Sequence, residues 1–338
     1  MSGQNKLIEL LEIQLANFKR LVALPKTERE LLAHARTLLN EPLIKVIIGP
    51  RRAGKSTFAL QLSENTPSAY LNFDDDNLIR YLEKKGTQEL LPNLKKVFGK
   101  FKILILDEIQ NLDRWELFVS RLHREGLNLL ITGSNAHLLS QELSTHLTGR
   151  FVEMEILPFS WREFKRAKPN ASVDDYINLG GFPEVVLGAV SANNYLQTLT
   201  DSIILKDIVG RYGVRQPVRL KELWSAISAQ FAQKYTISKL AATLDFQSKT
   251  TLQNYIQYLS AVFLHIELQR YSSKMKEQLK APRKSYLIDL GFAAAIPANF
   301  DTSARKLENL VLLAVRRECY GTNKSIFYYN TKNGREID

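Results

Sequence analysis

The stretch VIIGPRRAGKSTFALQL, residues 46–62, narrows the folds open to this chain more than any other feature. Gly49 is followed by four residues and then by Gly54-Lys55-Ser56, the spacing of a phosphate-binding loop. Its setting matters as much as its spacing. Leu43 to Ile48 is a short apolar run that reads as a strand, and Thr57 to Leu62 continues as a helix. In that arrangement backbone N–H groups wrap phosphates, and the glycines admit turns and close approaches that a Cβ would obstruct. Gly49, Pro50, Arg51, Arg52, Ala53, Gly54, Lys55, Ser56 and Thr57 are therefore the candidate ATP/ADP-binding residues. Lys55 is placed for the β and γ phosphates and Ser56 for Mg2+, and the helix dipole adds to the anion site. A glycine turn with a surface lysine is the bland alternative, and the flanking strand and helix argue against it.

A site that hydrolyses needs a second element, and KILILDEIQ at 102–110 supplies one. Ile103 to Leu106 reads as a fully buried parallel strand that ends in two carboxylates. Asp107 is placed to hold Mg2+ with Ser56, directly or through water, and Glu108 to orient and polarise the attacking water. Glu108 suits water activation better than a kinase reaction. A solvated turn after a strand is the alternative. The third element, LNLLITGSN at 127–135, is another buried strand ending in small polar residues. Thr132, Ser134 and Asn135 can each reach a γ-phosphate or its water, or cap the next helix. Asn135 is the favoured sensor, with Ser134 close behind.

Composition bounds the rest. At 338 residues and 45% hydrophobic, the chain has room for two or three domains with cores of their own. No apolar run approaches the roughly 20 residues that span a bilayer, and MSGQNKLIEL has no secretory pattern, so a soluble cytoplasmic protein is expected. The single cysteine, Cys319, cannot form an intramolecular disulfide and alone makes no zinc cage. The formal charge is +11, and residues 219–338 hold 18 Lys and Arg against 10 Asp and Glu. Such an excess can concentrate phosphate polymers, although many basic domains bind none.

Before the core, Ile8, Leu11, Leu15, Phe18 and Val22 mark one helical stripe, expected to pack on the core rather than form a partner-binding coil. A second helix is expected from Thr27, with Glu30 completing a capping box. Residues 157–215 mix prolines, the Gly180-Gly181 pair and short helical patterns, as a small helical lid would. Farther on, Leu240 and Leu244 mark one short helix, and Leu252, Tyr255, Ile256 and Leu259 a second, around a turn near 245–248. That is a helix-turn-helix outline, and FLHIELQRYSSKMKEQLKAPRKSYLIDLG adds two strands around a basic tip, as in a winged helix. Lys249, Thr250, Gln253 and Gln257 would face outward on the second helix, and Lys274, Lys276, Lys280, Arg283 and Lys284 would line the wing. These are the candidate nucleic-acid contacts, and a structural or protein-binding role is the alternative.

The set GPRRAGKS, LILDEIQ, ITGSN, LTGRF, LPFSWREF, GGFPEVV and DIVGRYG resembles a family of bacterial and archaeal AAA-type ATPases. Its members join a P-loop core to a C-terminal domain of unknown function that includes a winged helix. The resemblance covers roughly residues 40–338. It implies an α/β fold with an AAA-like parallel sheet in the order 5-1-4-3-2, on strands 43–48, 68–73, 102–106, 127–132 and 151–156. The implied organisation is N-terminal helices (1–40), ATPase core (41–157), helical lid (158–215), winged helix (216–290) and a truncated nuclease-like segment (291–338). Arg150 matches the place of an arginine finger, which would make a homo-oligomer part of catalysis; the alternative is a local pair with Glu153 or Glu155. Arg211 is a candidate lid arginine on phosphate. The family continues into a fold resembling the PD-(D/E)XK nucleases, where Glu308 and Asp338 would be metal-ligating acids. The sequence stops before the acid-x-lysine that should follow, so no nuclease activity is expected.

Together these readings describe a Mg2+-dependent ATP hydrolase whose lid and winged helix move with the nucleotide, acting on DNA or a DNA-bound partner. The alternative is a slow nucleotide switch that binds a protein through its C-terminal half. No membrane role is expected.

Overall fold

In the computed structural model, which describes residues 3–134, 147, 149–295, 301–331 and 335–337, chain contacts group into two units. One comprises Met1–Gly49 and Gly54–Ile156, the other Pro50–Ala53 and Leu157–Asp338.

The first unit runs α1 (Gly3–Ala23), α2 (Leu32–Leu38), β1 (Ile44–Ile48), α3 (Lys55–Leu62), β2 (Ser68–Asn72), α4 (Asp76–Lys85), α5 (Leu90–Phe98), β3 (Ile103–Asp107), α6 (Trp115–Arg124), β4 (Asn128–Gly133) and β5 (Phe151–Glu155). The strands form one all-parallel sheet in the order β2-β3-β4-β1-β5, which is the expected order read from the opposite edge. β1 and β3 are buried at every position, as strands covered on both faces must be. Lys45 is fully buried within β1. Its ammonium reaches Glu41 O at 2.6 Å and Asn128 Oδ1 at 2.9 Å, while burial lowers its pKa.

Two local expectations need correction. Thr27 starts no helix: its carbonyl accepts from Gln61 Nε2 at 2.9 Å, and α2 begins only at Leu32. On α1 the buried face is Leu7, Leu10, Leu11 and Gln14, with Phe18 against the core, whereas Val22 is exposed. The face is rotated from the apolar stripe because Gln14 is drawn inward, accepting from Asn72 N at 2.9 Å and donating to Asp75 Oδ2 at 3.0 Å.

The second unit contains α7 (Trp161–Ala167), α8 (Val173–Leu179), α9 (Pro183–Val186) and α10 (Ala192–Ser202), which passes into a π-helical stretch at Ile203–Val209. Capping boxes at Ser160/Glu163 and Ser172/Asp175 start α7 and α8. After these come α11 (Pro217–Ala229), β6 (Gln233–Tyr235), α12 (Ile237–Thr243), α13 (Lys249–Ala261), β7 (His265–Leu268), α14 (Met275–Lys280) and β8 (Arg283–Leu287). β6, β8 and β7 form an antiparallel sheet in that order. α15 (Ser303–Cys319) and the short pair β9 (Tyr329–Asn330) and β10 (Glu336–Ile337) complete the unit.

Asp289, after β8, ties this unit to the GGFP turn. Its carboxylate accepts from Gly181 N at 2.7 Å and Gly291 N at 2.9 Å. Gly180 sits at φ +74°, where a Cβ would lie 1.9 Å from Asp289 Oδ1, so only glycine fits this approach.

Candidate functional site

The loop after β1 needs its glycines. A Cβ on Gly49, at φ +148°, would lie 2.0 Å from the Ile156 carbonyl, and Gly54 enters α3 at φ 92°. Arg52 also takes positive φ, at 68°. This backbone turns back on itself before Lys55 and Ser56 open the helix.

Parallel pairing brings the ends of β1, β3 and β4 to one edge of the sheet. There Lys55 is buried, with Nζ 3.5 Å from Glu108 Oε1. Ser56 Oγ donates to Asp107 Oδ1 at 2.8 Å, and Thr132 Oγ1 donates to the same oxygen at 2.6 Å. Tyr70 OH donates to Asp107 Oδ2 at 2.6 Å. Burial pushes the Asp107 carboxyl above its usual range, the neighbouring Glu108 adds to that, and the three hydroxyls oppose it. Burial also raises the Tyr70 phenol, helped by Asp107, so it remains a donor.

Glu108 holds a left-handed backbone, φ 52° and ψ 44°, which is uncommon outside glycine and clusters at functional sites. Its N–H donates to Thr132 Oγ1 at 3.0 Å, and Gln110 Nε2 donates to its Oε2 at 2.6 Å. Thr132 thus joins both acids, a role not among those expected of it, which were a γ-phosphate sensor or a helix cap. Ser134 is buried with a hydroxyl that has no partner among the described residues, while Asn135, the favoured sensor, lies outside them. Tyr70 belongs to no recognisable motif, and Gln110, although it ends the LILDEIQ motif, was assigned no role there. Tyr70 does carry a signal in retrospect: a lone phenol within an apolar strand that ends level with Asp107.

The remaining candidates are dispersed. Within the second unit, Arg51 makes a bidentate pair with Asp207, Nε–Oδ2 and Nη2–Oδ1 both 3.0 Å, and Arg52 lies 3.3 Å from Glu184. Arg211 Nη1 is buried without a partner among the described residues. Arg150 is exposed just before β5 and makes no ion pair with Glu153 or Glu155 among the described residues, which removes that local alternative.

On α13, Lys249, Thr250, Gln253 and Gln257 face outward, as do Lys274, Lys276 and Lys280 around α14. Two wing residues need correction. Arg283 is half-buried, and its Nη1 donates to both carboxylate oxygens of Glu267, at 2.8 and 2.9 Å. Lys284 is buried, bonding Glu308 at 2.7 Å and Glu336 at 2.8 Å. Alternation along β8 sends the two side chains to opposite faces, Arg283 to Glu267 on the paired strand β7 and Lys284 to the acids of α15 and β10. Tyr286 OH also donates to Glu308, at 2.7 Å, and Asp338 lies outside the described residues.

Among the described residues no helix is long and apolar enough to cross a membrane. A family model described as an AAA domain matches residues 41–165, and one described as a domain of unknown function (DUF8612) matches residues 170–304. The chain is similar to the uncharacterized protein MJ1544 of Methanocaldococcus jannaschii, 34% identical over 323 residues that cover 87% of this chain and 71% of that protein. It is also similar to an uncharacterized protein of Haemophilus influenzae, 33% identical over 305 residues that cover 83% and 76%. The fold resembles that of the Walker-type ATPase paby2304 of Pyrococcus abyssi at a TM-score of 0.52, with 18% identity, covering 81% of this chain and 98% of that one. With its phosphate-loop sheet and these relatives, the chain belongs to the family of AAA-domain proteins that includes the two from M. jannaschii and H. influenzae.

Proposed function

We propose that this protein binds ATP with Mg2+ and hydrolyses it, and that its C-terminal unit passes the nucleotide state to a nucleic acid. One observation carries the reading: Lys55, Ser56, Asp107 and Glu108 converge at one sheet edge in two pairs, Ser56 with Asp107 at 2.8 Å and Lys55 with Glu108 at 3.5 Å. The Ser56 hydroxyl and the Asp107 carboxylate, 2.8 Å apart, are hard oxygen donors that suit Mg2+. When bound, the ion would neutralise charge on the phosphates. The chain's own residues do the rest: Lys55 neutralises phosphate, the loop N–H groups orient it, and Glu108 holds and polarises the attacking water. Thr132 fixes both acids, Ser134 or Asn135 senses the γ-phosphate, and Arg211 serves as the lid arginine.

The test is phosphate release beside nucleotide binding. Lys55→Ala should abolish tight ATP binding. Glu108→Gln should keep binding and slow hydrolysis by about a hundredfold or more, the low end for positioned acid-base help. Near-normal turnover in Glu108→Gln would move the catalytic role elsewhere.

For the second half, the order α11, β6, α12, α13, β7, β8 with a β6-β8-β7 sheet supports a winged-helix reading, with the exposed α13 face and the Lys274, Lys276 and Lys280 cluster toward nucleic acid. A protein partner is the second reading. It is favoured by the neutralised Arg283 and Lys284 and by the exposed Met275 and Leu279, one helical turn apart on α14. ATPase rates with and without DNA separate the two.

A further inference from the structure

The sheet edge holds a residue that no phosphate-loop motif contains. Tyr70 lies one pleat before the end of β2, where Tyr70 pairs with Ile105 and Asn72 with Asp107. Side chains two apart on a strand share a face, so the Tyr70 ring and the Asp107 carboxylate project from the same side of the sheet on neighbouring strands. The ring is buried, and its hydroxyl donates to Oδ2 at 2.6 Å. The other oxygen, Oδ1, takes both the Ser56 and the Thr132 hydroxyls. The carboxylate is thus held at both ends, and its torsion is set by three donors on three different elements.

The ring itself is held by α1. Phe18 stacks on Tyr70 with centroids 5.8 Å apart and planes 15° from parallel. One turn earlier, Gln14 clasps β2 at Asn72 and the following turn at Asp75. The N-terminal helix therefore grips β2 at Tyr70, whose hydroxyl meets the acid, and at Asn72, which pairs with Asp107 in register.

We propose that Tyr70 is a positioning residue for the cation side of the site. Its hydroxyl anchors Oδ2 so that Oδ1 and Ser56 Oγ present one preformed pair of oxygens to Mg2+, and α1, through Phe18, keeps the ring in register. This rests on the ATPase reading above. Groups that orient a metal ligand from behind commonly change metal affinity 10–100-fold when removed.

The experiment titrates Mg2+ against binding of a fluorescent ATP analogue to the full chain. Tyr70→Phe keeps the ring and its stack on Phe18 and deletes only the hydroxyl. The half-saturating Mg2+ concentration should rise about 10-fold or more. Nucleotide affinity in excess chelator should stay at the wild-type value, because the phosphate loop is untouched. A purely structural tyrosine would move both together, or neither. Should Tyr70→Phe not fold, Phe18→Leu loosens the ring while leaving the hydroxyl, and it should raise the Mg2+ requirement in the same direction by less. An unchanged Mg2+ requirement in the variant that folds, beside a wild type that responds to Mg2+, overturns the inference and leaves the ATPase reading standing. A wild type that binds no nucleotide overturns both.

Discussion

Burial of Asp289 beneath the glycines of the GGFP turn pushes its carboxyl up to about 6, against an ordinary 3.8, although two backbone N–H groups pull the other way. The folded chain therefore holds this proton more tightly than the unfolded chain does. The stability linked to it is complete below about pH 3.8 and is lost as pH rises through about 6, an effect of about 3 kcal/mol. Denaturant unfolding of wild type and Asp289→Asn between pH 4 and 7 should show the wild type losing ground to the variant as pH rises. A pH-independent difference between them would remove Asp289 as the cause. At this scale motif spacing marked Lys55, Ser56, Asp107 and Glu108, because phosphate-loop chemistry needs those types at those places. Thr132 and Tyr70 were less legible, since their roles come from strand neighbours 25 and 37 residues away from Asp107.

Among the elements, the strands were the easiest to read: short continuous apolar runs bounded by glycine or acid have few other uses. Helix boundaries depended on side chains that the local pattern does not contain, as Gln61 at Thr27 and Gln14 on α1 illustrate. The region around α14 and the start of β8 is the sharper case. The five cations expected to line the wing divide: Lys274, Lys276 and Lys280 stay exposed around α14, although Lys274 lies 3.1 Å from Glu277, while Arg283 and Lys284, already within β8, are neutralised by Glu267, Glu308 and Glu336. If this element binds DNA through phosphates, replacing Lys274, Lys276 and Lys280 by Ala should flatten the log-log salt dependence by about two to three units, at roughly 0.9 per contact. Binding should weaken alike on all sequences, with ATP affinity unchanged. Fluorescence anisotropy across a salt series measures this, and an unaltered slope would favour the protein partner.

For the whole molecule, Arg150 is exposed and makes no ion pair with Glu153 or Glu155 among the described residues, which suits a residue that acts on a neighbouring copy. Arg150→Ala should bind ATP normally and hydrolyse it poorly, and mixing it with Glu108→Gln should partly restore phosphate release at shared interfaces. A monomer by sedimentation, with no restoration on mixing, would end the finger assignment. The sequence by itself determined that a phosphate loop lies between an apolar strand and a helix and that two acids end a second buried strand, because spacing and hydrophobic runs are local properties. The strand order followed from the family resemblance, which such spacing cannot supply. Only the tertiary structure decided which side chains share a carboxylate and which cations stay exposed. Pairing partners such as Tyr70 with Asp107, or Lys284 with Glu308, are brought together by sheet register and by chain packing over long separations, and no short window of sequence records them.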